Sequence, residues 1–175
     1  RLVFLGRLAP NKGAYSVAEA FTELPKKILE EWELHIYGKG AQKPAIDELI
    51  SESQGEVKIK LNYAQYSELP EVYSAADAVI HASKYTEPFS RVWLESMASG
   101  TPLICSRNPS SESVLSDIAV LYDPFDENEP RNTLRDTLAR DDLPSIGQKG
   151  KQRAQEYLPS KVCPQYIKLY KEVMQ

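Results

Sequence analysis

The chain has little that would place it among membrane or nucleic-acid-binding proteins. No apolar run approaches the roughly 20 residues that a membrane-spanning helix needs, so we expect no transmembrane segment. Its 21 lysines and arginines stand against 25 aspartates and glutamates, which gives a net charge of -4. No basic surplus is available to attract nucleic acid or an anionic membrane. Contact with a phosphate must therefore come from a few placed cations.

Cysteine and histidine are also scarce, with two residues of each. Cys105 and Cys163 have neither a CxxC nor a metal-ligand spacing, and the apolar run around Cys105 predicts a small core residue. A reducing, cytoplasmic location is the simpler interpretation, either free or at the cytoplasmic face of a membrane. His35 and His81 lie inside strand patterns, where a histidine is more often a core or sheet residue than a catalytic base. No Ser/His/Asp or Cys/His pairing supports nucleophilic hydrolysis.

The length of 175 residues fits one domain over residues 1–175 with a sizeable core. The chain begins at Arg1, without an initiator methionine, and a strand pattern follows at once. We expect it to be an excerpt of a longer protein, from which any targeting segment could have been removed.

Apolar runs alternate with helical patterns along most of the chain. Strands are predicted at residues 2–5, 33–37, 57–61, 78–82, 103–105 and 118–122. Helices are predicted at about 13–23, 42–53, 69–76, 89–99 and 111–116, then at 127–140, 144–157 and 160–174. This order predicts an α/β, Rossmann-like doubly wound parallel sheet of about six strands with C-terminal helices. Ligands of such sheets bind outside the carboxyl ends of the strands, near the switch point in strand order.

The loop after the first predicted strand, GRLAPNKG from Gly6 to Gly13, carries two cations close to a helix start. The planar fork of Arg7, the compact ammonium of Lys12 and the free N–H groups of the helix suit a diphosphate. A solvated surface loop explains this segment equally well when it is taken alone. The later Gly38-Lys39-Gly40 is a lone GxG, for which a strand-ending turn is the simpler explanation.

The segment from Ala82 to Pro102 carries two glutamates eight residues apart. Pro88 fits the first position of a helix, which would place Glu87 at the cleft beside the free amides of Ser90, Arg91 and Val92. Glu95 would then lie about 12 Å further along the helix, roughly the span from a hexose to a ribose across a diphosphate. Carboxylates accept hydrogen bonds from sugar hydroxyls. Two glutamates at this spacing alone are more often ordinary helix-surface residues.

Several motifs in this order resemble those of the C-terminal, donor-binding domain of retaining GT-B glycosyltransferases, especially family four. The matching segments are Gly6-Arg7-Leu8 with Lys12-Gly13, Gly38-Lys39-Gly40, Tyr73-Ser-Ala-Ala-Asp77 with Ser83, and Glu87 to Glu95 with the following Ser-Met-Ala-Ser-Gly-Thr-Pro102. Together they cover nearly the whole chain, and the constellation is far more specific than any one motif.

The resemblance implies that the chain binds a UDP- or GDP-linked sugar for transfer to a glycan, lipid-linked or other acceptor. Arg7 and Lys12 would hold the diphosphate and stabilise the leaving group, while Glu87 would contact the transferred sugar and Glu95 the ribose. The remaining donor-binding residues would be Gly6, Gly38, Gly40, Asn62, Tyr63, Ala64, Phe89, Ser90, Arg91 and Val92, of which residues 62–64 would line the base. No metal or other cofactor is implied.

The same resemblance implies a missing N-terminal acceptor-binding domain, to which the last helix would cross and through which the protein could contact a membrane surface. The excerpt would then bind donor without transferring sugar.

Two positions depart from the family pattern: Ser90 replaces a usual glycine, which narrows the space near the donor, and Ala82-Ser83 replaces Pro-Ser. The alternatives are a transfer-inactive scaffold, another GT-B enzyme such as an epimerase or phosphorylase, and a Rossmann dehydrogenase. The dehydrogenase is disfavoured because the first loop lacks GxGxxG.

Overall fold

Six short parallel strands form the centre of this computed structural model, which describes residues 1–85 and 87–174. The strands are β1 (Leu2–Leu5), β2 (Leu34–Tyr37), β3 (Ile59–Asn62), β4 (Ala78–His81), β5 (Leu103–Ser106) and β6 (Ala119–Tyr122). Their order in the sheet is β3-β2-β1-β4-β5-β6, so the chain reverses its direction of winding between β1 and β4. The predicted parallel sheet is confirmed, and its switch point lies beside β1.

Helices follow the strands in the alternation that the sequence predicts. They are α1 (Ala14–Thr22), α2 (Lys26–Glu31), α3 (Lys43–Glu52), α4 (Leu69–Ser74), α5 (Arg91–Ser99), α6 (Pro109–Leu115), α7 (Glu129–Leu138), α8 (Leu143–Ala154) and α9 (Pro159–Val173). The sequence did not predict α2, because one turn and a half with a single buried apolar residue, Ile28, is too short to show a helical period.

Both faces of the sheet are covered, as a doubly wound fold requires. On one face α1, α3 and α7 bury side chains that include Phe21, Ile46 and Leu134. On the other face α5 buries Trp93 and Met97 against alternate residues of the strands. Because each strand contributes to two separate cores, its residues read as continuous apolar runs.

The start of α5 differs from the prediction. Pro88 is not the first helical residue: the chain stays irregular from Glu87 to Phe89, and Ser90 has extended dihedral angles (φ -104°, ψ 135°) before α5 begins at Arg91. The ring of Phe89 packs against Trp93 and Tyr157, with centroids 6.0 and 5.2 Å apart, which holds this segment outside the helix. The predicted helical spacing between Glu87 and Glu95 is therefore wrong.

The last helix, α9, packs little against the rest of the chain and has no buried residue. The predicted apolar side is present and faces solvent through Tyr166, Ile167, Leu169, Tyr170 and Val173. Within the described residues, no helix is both long enough and apolar enough to cross a membrane.

Candidate functional site

A cleft of about 560 Å³ opens at the carboxyl ends of the strands around the switch point. Loops after β1, β2, β3 and β4 line it together with the first part of α5. This is the location that the strand order predicts for a ligand.

Most of the predicted site residues meet in this cleft. Its lining includes Gly6, Arg7, Lys12, Gly38, Tyr63, Ala64, Glu87, Phe89, Ser90, Arg91, Val92 and Glu95. Two predicted residues do not line it. Gly40 lies so close to the Leu8 carbonyl group that an added Cβ would collide with it, and the Asn62 side chain donates to the Lys60 carbonyl over 3.2 Å.

The centre of the cleft holds an ion pair between Lys12 and Glu87. The Lys12 ammonium contacts Oε1 of Glu87, and their side chains are 19% and 10% exposed. The other carboxylate oxygen, Oε2, lies 3.5 Å from Nε2 of His81. Hydrogen bonding from His81, and then from Lys12, holds the pKa of Glu87 well below its usual range despite burial, which acts in the opposite direction. Glu87 is therefore an ionised carboxylate at neutral pH.

Close approach of two loops brings Lys12 to Glu87. The backbone N–H of Lys84 donates to the Asn11 carbonyl over 2.9 Å, which ties the loop after β4 to the loop after β1. Gly13 has φ of +74°, and a Cβ there would collide with the Ala82 carbonyl group. Only glycine combines this left-handed conformation with such close backbone contact. The Lys-Gly sequence thus places the ammonium at the end of β4.

Glu95 lies in the same cleft, on α5, and is held by Tyr73 from α4. The Tyr73 hydroxyl donates to Oε2 of Glu95 over 2.8 Å. Burial and, next, the charge of Glu95 raise the pKa of Tyr73, so the phenol keeps its hydrogen and remains a donor. Sequence reasoning noted Tyr73 in a motif but gave it no role at the site.

His81 is the last residue of β4 and also lines the cleft. The prediction that it is a buried sheet residue is confirmed, since it is 5% exposed. Besides contacting Glu87, its Nε2 lies 3.3 Å from Oγ of Ser90, and its Nδ1 lies 3.7 Å from Sγ of Cys105. The signal that sequence reasoning undervalued is its position at the carboxyl end of the strand beside the switch point.

Two further cations lie near the mouth of the cleft. The Lys39 ammonium lies 3.7 Å from the ring centroid of Tyr63, which is 61% exposed. Arg7 is exposed, and across residues 1–85 and 87–174 its guanidinium makes no ion pair. In that same part of the chain, no three His, Cys, Asp or Glu side chains are grouped as a metal site would require.

The cleft brings together groups that can bind an anion and carboxylates that can accept hydrogen bonds. Arg7, Lys12 and the free amides at the start of α5 can bind an anion such as a diphosphate. Glu87 and Glu95 can accept hydrogen bonds from diols, and exposed Tyr63 offers a flat surface at the rim.

Comparison with known proteins agrees with this geometry. A profile of the family described as glycosyl transferases group 1 matches residues 1–153. The chain is 26% identical over 172 residues to O-antigen chain mannosyltransferase B of Escherichia coli, covering 97% of the chain and 45% of that protein. It is 32% identical over 139 residues to mannosylfructose-phosphate synthase of Agrobacterium fabrum, covering 71% and 30%.

The fold also matches solved structures. HepE of Anabaena, solved in complex with UDP and glucose, superposes with a TM-score of 0.84 at 19% identity, over 98% of the chain and 48% of HepE. The chain thus spans less than half the length of these three proteins. Because the family profile covers well over half of the chain, the chain belongs to the glycosyl transferases group 1, and its Rossmann-like sheet matches the fold of GT-B glycosyltransferase structures.

Proposed function

We propose that this chain forms the nucleotide-sugar donor site of a retaining hexosyltransferase resembling family four. The observation that carries the proposal is the gathering of Lys12, Glu87 and Glu95 around one cleft, although they lie on three different elements. The donor would be a UDP- or GDP-linked hexose, and the acceptor a glycan, a lipid-linked sugar or a similar hydroxyl compound. Two relatives are named for mannosyl transfer or synthesis, and HepE was solved with UDP and glucose, which supports a hexose.

The cations would bind the diphosphate. Arg7 lies exposed at the mouth, where it can form two parallel hydrogen bonds to phosphate oxygens. Lys12 is engaged with Glu87, yet an ammonium group has three N–H donors, so it can hold the carboxylate and a phosphate together. The free amides of Arg91 and Val92 in the first turn of α5 would add to this field. Negative charge on the departing diphosphate would meet these groups, so the proposal needs no metal.

The carboxylates would recognise the sugar and the ribose. Glu87 is ionised, and each of its oxygens has one protein partner, which leaves lone pairs for hydroxyl groups of the transferred hexose. Glu95 is fixed through one oxygen by Tyr73 and would use the other for the ribose. Tyr63 and Ala64 would line the base. The Ser90 side chain would narrow the part of the cleft beside Glu87 and so restrict which hexoses are accepted.

A second domain would supply the acceptor site. The chain spans under half of its relatives, so we expect it to bind the donor without completing transfer. The apolar side of α9 is then the natural place for contact with that domain.

Calorimetry on the purified chain tests the proposal. UDP and GDP, then UDP-glucose and GDP-mannose, would be titrated with and without EDTA. We expect one base to bind clearly better, the matching sugar nucleotide to bind at least as well, and EDTA to change neither. A folded chain that binds none of the four would instead favour a transfer-inactive scaffold. Sugar transfer by the isolated chain at the rate of the full-length protein would overturn the proposal that a second domain supplies the acceptor site.

A further inference from the structure

A buried polar cluster lies directly beneath Glu87. Its members are His81 at the end of β4, Ser90 before α5 and Cys105 on β5, which are 5%, 5% and 0% exposed. Such groups are costly to bury unless they satisfy one another. The two ring nitrogens of His81 connect the cluster, because one faces Ser90 and Glu87 and the other faces Cys105.

The surroundings of the imidazole determine where its hydrogen lies. Nε2 is 3.5 Å from the Glu87 carboxylate, which only accepts hydrogen bonds, so a hydrogen on Nε2 suits this neighbour, and the Ser90 hydroxyl at 3.3 Å can then accept from the same nitrogen. Nδ1 is 3.7 Å from the Cys105 sulfur, and that sulfur also lies 3.4 Å from the Ser106 carbonyl oxygen, to which the thiol donates. Burial raises the pKa of Cys105, so this neighbour stays a neutral thiol.

The ring is also held in place by packing. The plane of His81 meets that of Trp93 edge to face, with centroids 5.6 Å apart and an angle of 77°. Lys12, by contrast, reaches Glu87 at the end of a long flexible side chain from a loop. Of the two partners of Glu87, His81 is therefore the rigid one.

We propose that His81 is a positioning residue of the donor site, whose Nε2–H holds Oε2 of Glu87 so that the carboxylate faces the sugar when Lys12 turns to the diphosphate. Without His81, Glu87 has Lys12 as its remaining partner among the described contacts, and a bound phosphate competes for the same ammonium. This inference rests on the proposed function, which assigns the sugar to Glu87 and the diphosphate to Lys12.

Two variants separate positioning from packing. His81→Gln keeps an N–H donor near the place of Nε2, whereas His81→Leu fills similar space without one. We expect the leucine variant to lose about tenfold in affinity for UDP-glucose or GDP-mannose but to bind UDP or GDP as wild type does, because a hydrogen bond to a charged group that faces the sugar is lost. The glutamine variant should recover most of the loss. Equal losses for both ligands, or a glutamine variant no better than leucine, would overturn the proposal.

A second measurement does not depend on nucleotide binding. Carbon-13 NMR of the Glu87 carboxyl group, identified with Glu87→Gln, would follow its protonation during acid titration of each folded variant. We expect Glu87 to protonate at a higher pH in His81→Leu than in wild type. His35→Leu is the matched control, because His35 pairs with Glu33 at 3.0 Å, away from the cleft. An unchanged Glu87 titration in His81→Leu would overturn the positioning role, whereas absence of nucleotide binding by wild type would overturn the proposed function.

Discussion

The Lys12 ammonium contacts the Glu87 carboxylate within the cleft, although 75 residues separate the two in the chain. The pair joins the cation assigned to the diphosphate with the carboxylate assigned to the sugar, and it is largely shielded from solvent. Removing one partner of a buried pair is destabilising, because the other charge is then left uncompensated. When a donor binds, Lys12 must share its contact with Glu87 with a phosphate. We therefore expect substitutions of Lys12 and of Glu87 to affect ligand binding differently.

Replacing the cations tests the diphosphate assignment. We expect Arg7→Met and Lys12→Met each to weaken binding of UDP or GDP by roughly 1–3 kcal/mol, as loss of charge-assisted hydrogen bonds does. Arg7→Met should leave the free energy of unfolding nearly unchanged because Arg7 is exposed. Lys12→Met should also lower it, because Glu87 loses its cation. Calorimetry and urea denaturation measure the two effects.

Lys26→Met is the control for a change of net charge, since Lys26 is 89% exposed on α2, outside the cleft lining. It should change neither affinity nor stability. If Arg7→Met and Lys12→Met both bind nucleotide as wild type does, the assignment of these cations is wrong.

Acid should weaken the protein partly through Glu87. His81 and Lys12 lower the pKa of Glu87 in the folded state. Its contribution to the free energy of unfolding is therefore fully present above the pKa of glutamate in the unfolded chain, about 4.3, and is lost as the pH falls below that value toward the folded pKa. We therefore expect wild type to lose more free energy of unfolding than Glu87→Gln between pH 7 and the acid limit of folding. Urea denaturation at several pH values gives both curves.

Glu33 supplies a comparison away from the cleft. Hydrogen bonds from His35 and then Lys60 lower the pKa of Glu33 to about 2, so it has the same sign of pH dependence. Glu33→Gln should reduce acid sensitivity without affecting sugar-nucleotide binding, whereas Glu87→Gln should affect both. Parallel curves for wild type and Glu87→Gln would show that the Glu87 carboxylate is not stabilised by its partners.

Removing one hydroxyl group tests the hold on Glu95. In Tyr73→Phe the carboxylate loses a 2.8 Å hydrogen bond while the ring packing is kept. We expect UDP or GDP to bind several-fold more weakly, consistent with about 1 kcal/mol for one such bond. The free base or inorganic pyrophosphate, which lack the ribose, should bind Tyr73→Phe and wild type alike. An equal loss for pyrophosphate would point to a general distortion of the cleft.

The sequence predicted the sheet because strand patterns are local, whereas the residues that line the cleft were predicted from a resemblance carried by several motifs in a fixed order. Apolar strands at regular intervals are visible without knowledge of their neighbours, whereas the loop with Lys12-Gly13, taken alone, fits a solvated surface loop equally well. The start of α5 was mispredicted because a proline such as Pro88 is compatible with a helix start and with an extended loop. In the fold, Phe89 packs on Trp93, a tertiary contact that the sequence does not show.

The roles of His81 and Tyr73 were missed for a related reason. Each acts through one residue that is distant in sequence, Glu87 or Glu95, and neither pairing has a periodic signature. Burial of His81 was predictable from its strand. The contact of its Nε2 with Glu87 depends on the path of the loop after β4, which the sequence pattern does not show. Tertiary contacts of this kind are set by the assembled fold.

Gly13 connects that assembled fold to the site, and its substitution tests the connection. Gly13→Ala would place a side chain in a left-handed conformation and against the Ala82 carbonyl group. Gly55 has a similar φ of +83° but no atom within 4 Å of an added Cβ. Gly55→Ala should therefore cost about 1–2 kcal/mol in the free energy of unfolding, the usual penalty for this conformation. Gly13→Ala should cost clearly more and should also weaken nucleotide binding, because the loop must retreat from β4 and carry Lys12 away from Glu87. Urea denaturation and calorimetry on both variants decide the matter: equal costs, with nucleotide affinity intact, would mean that this close approach does not set the position of Lys12.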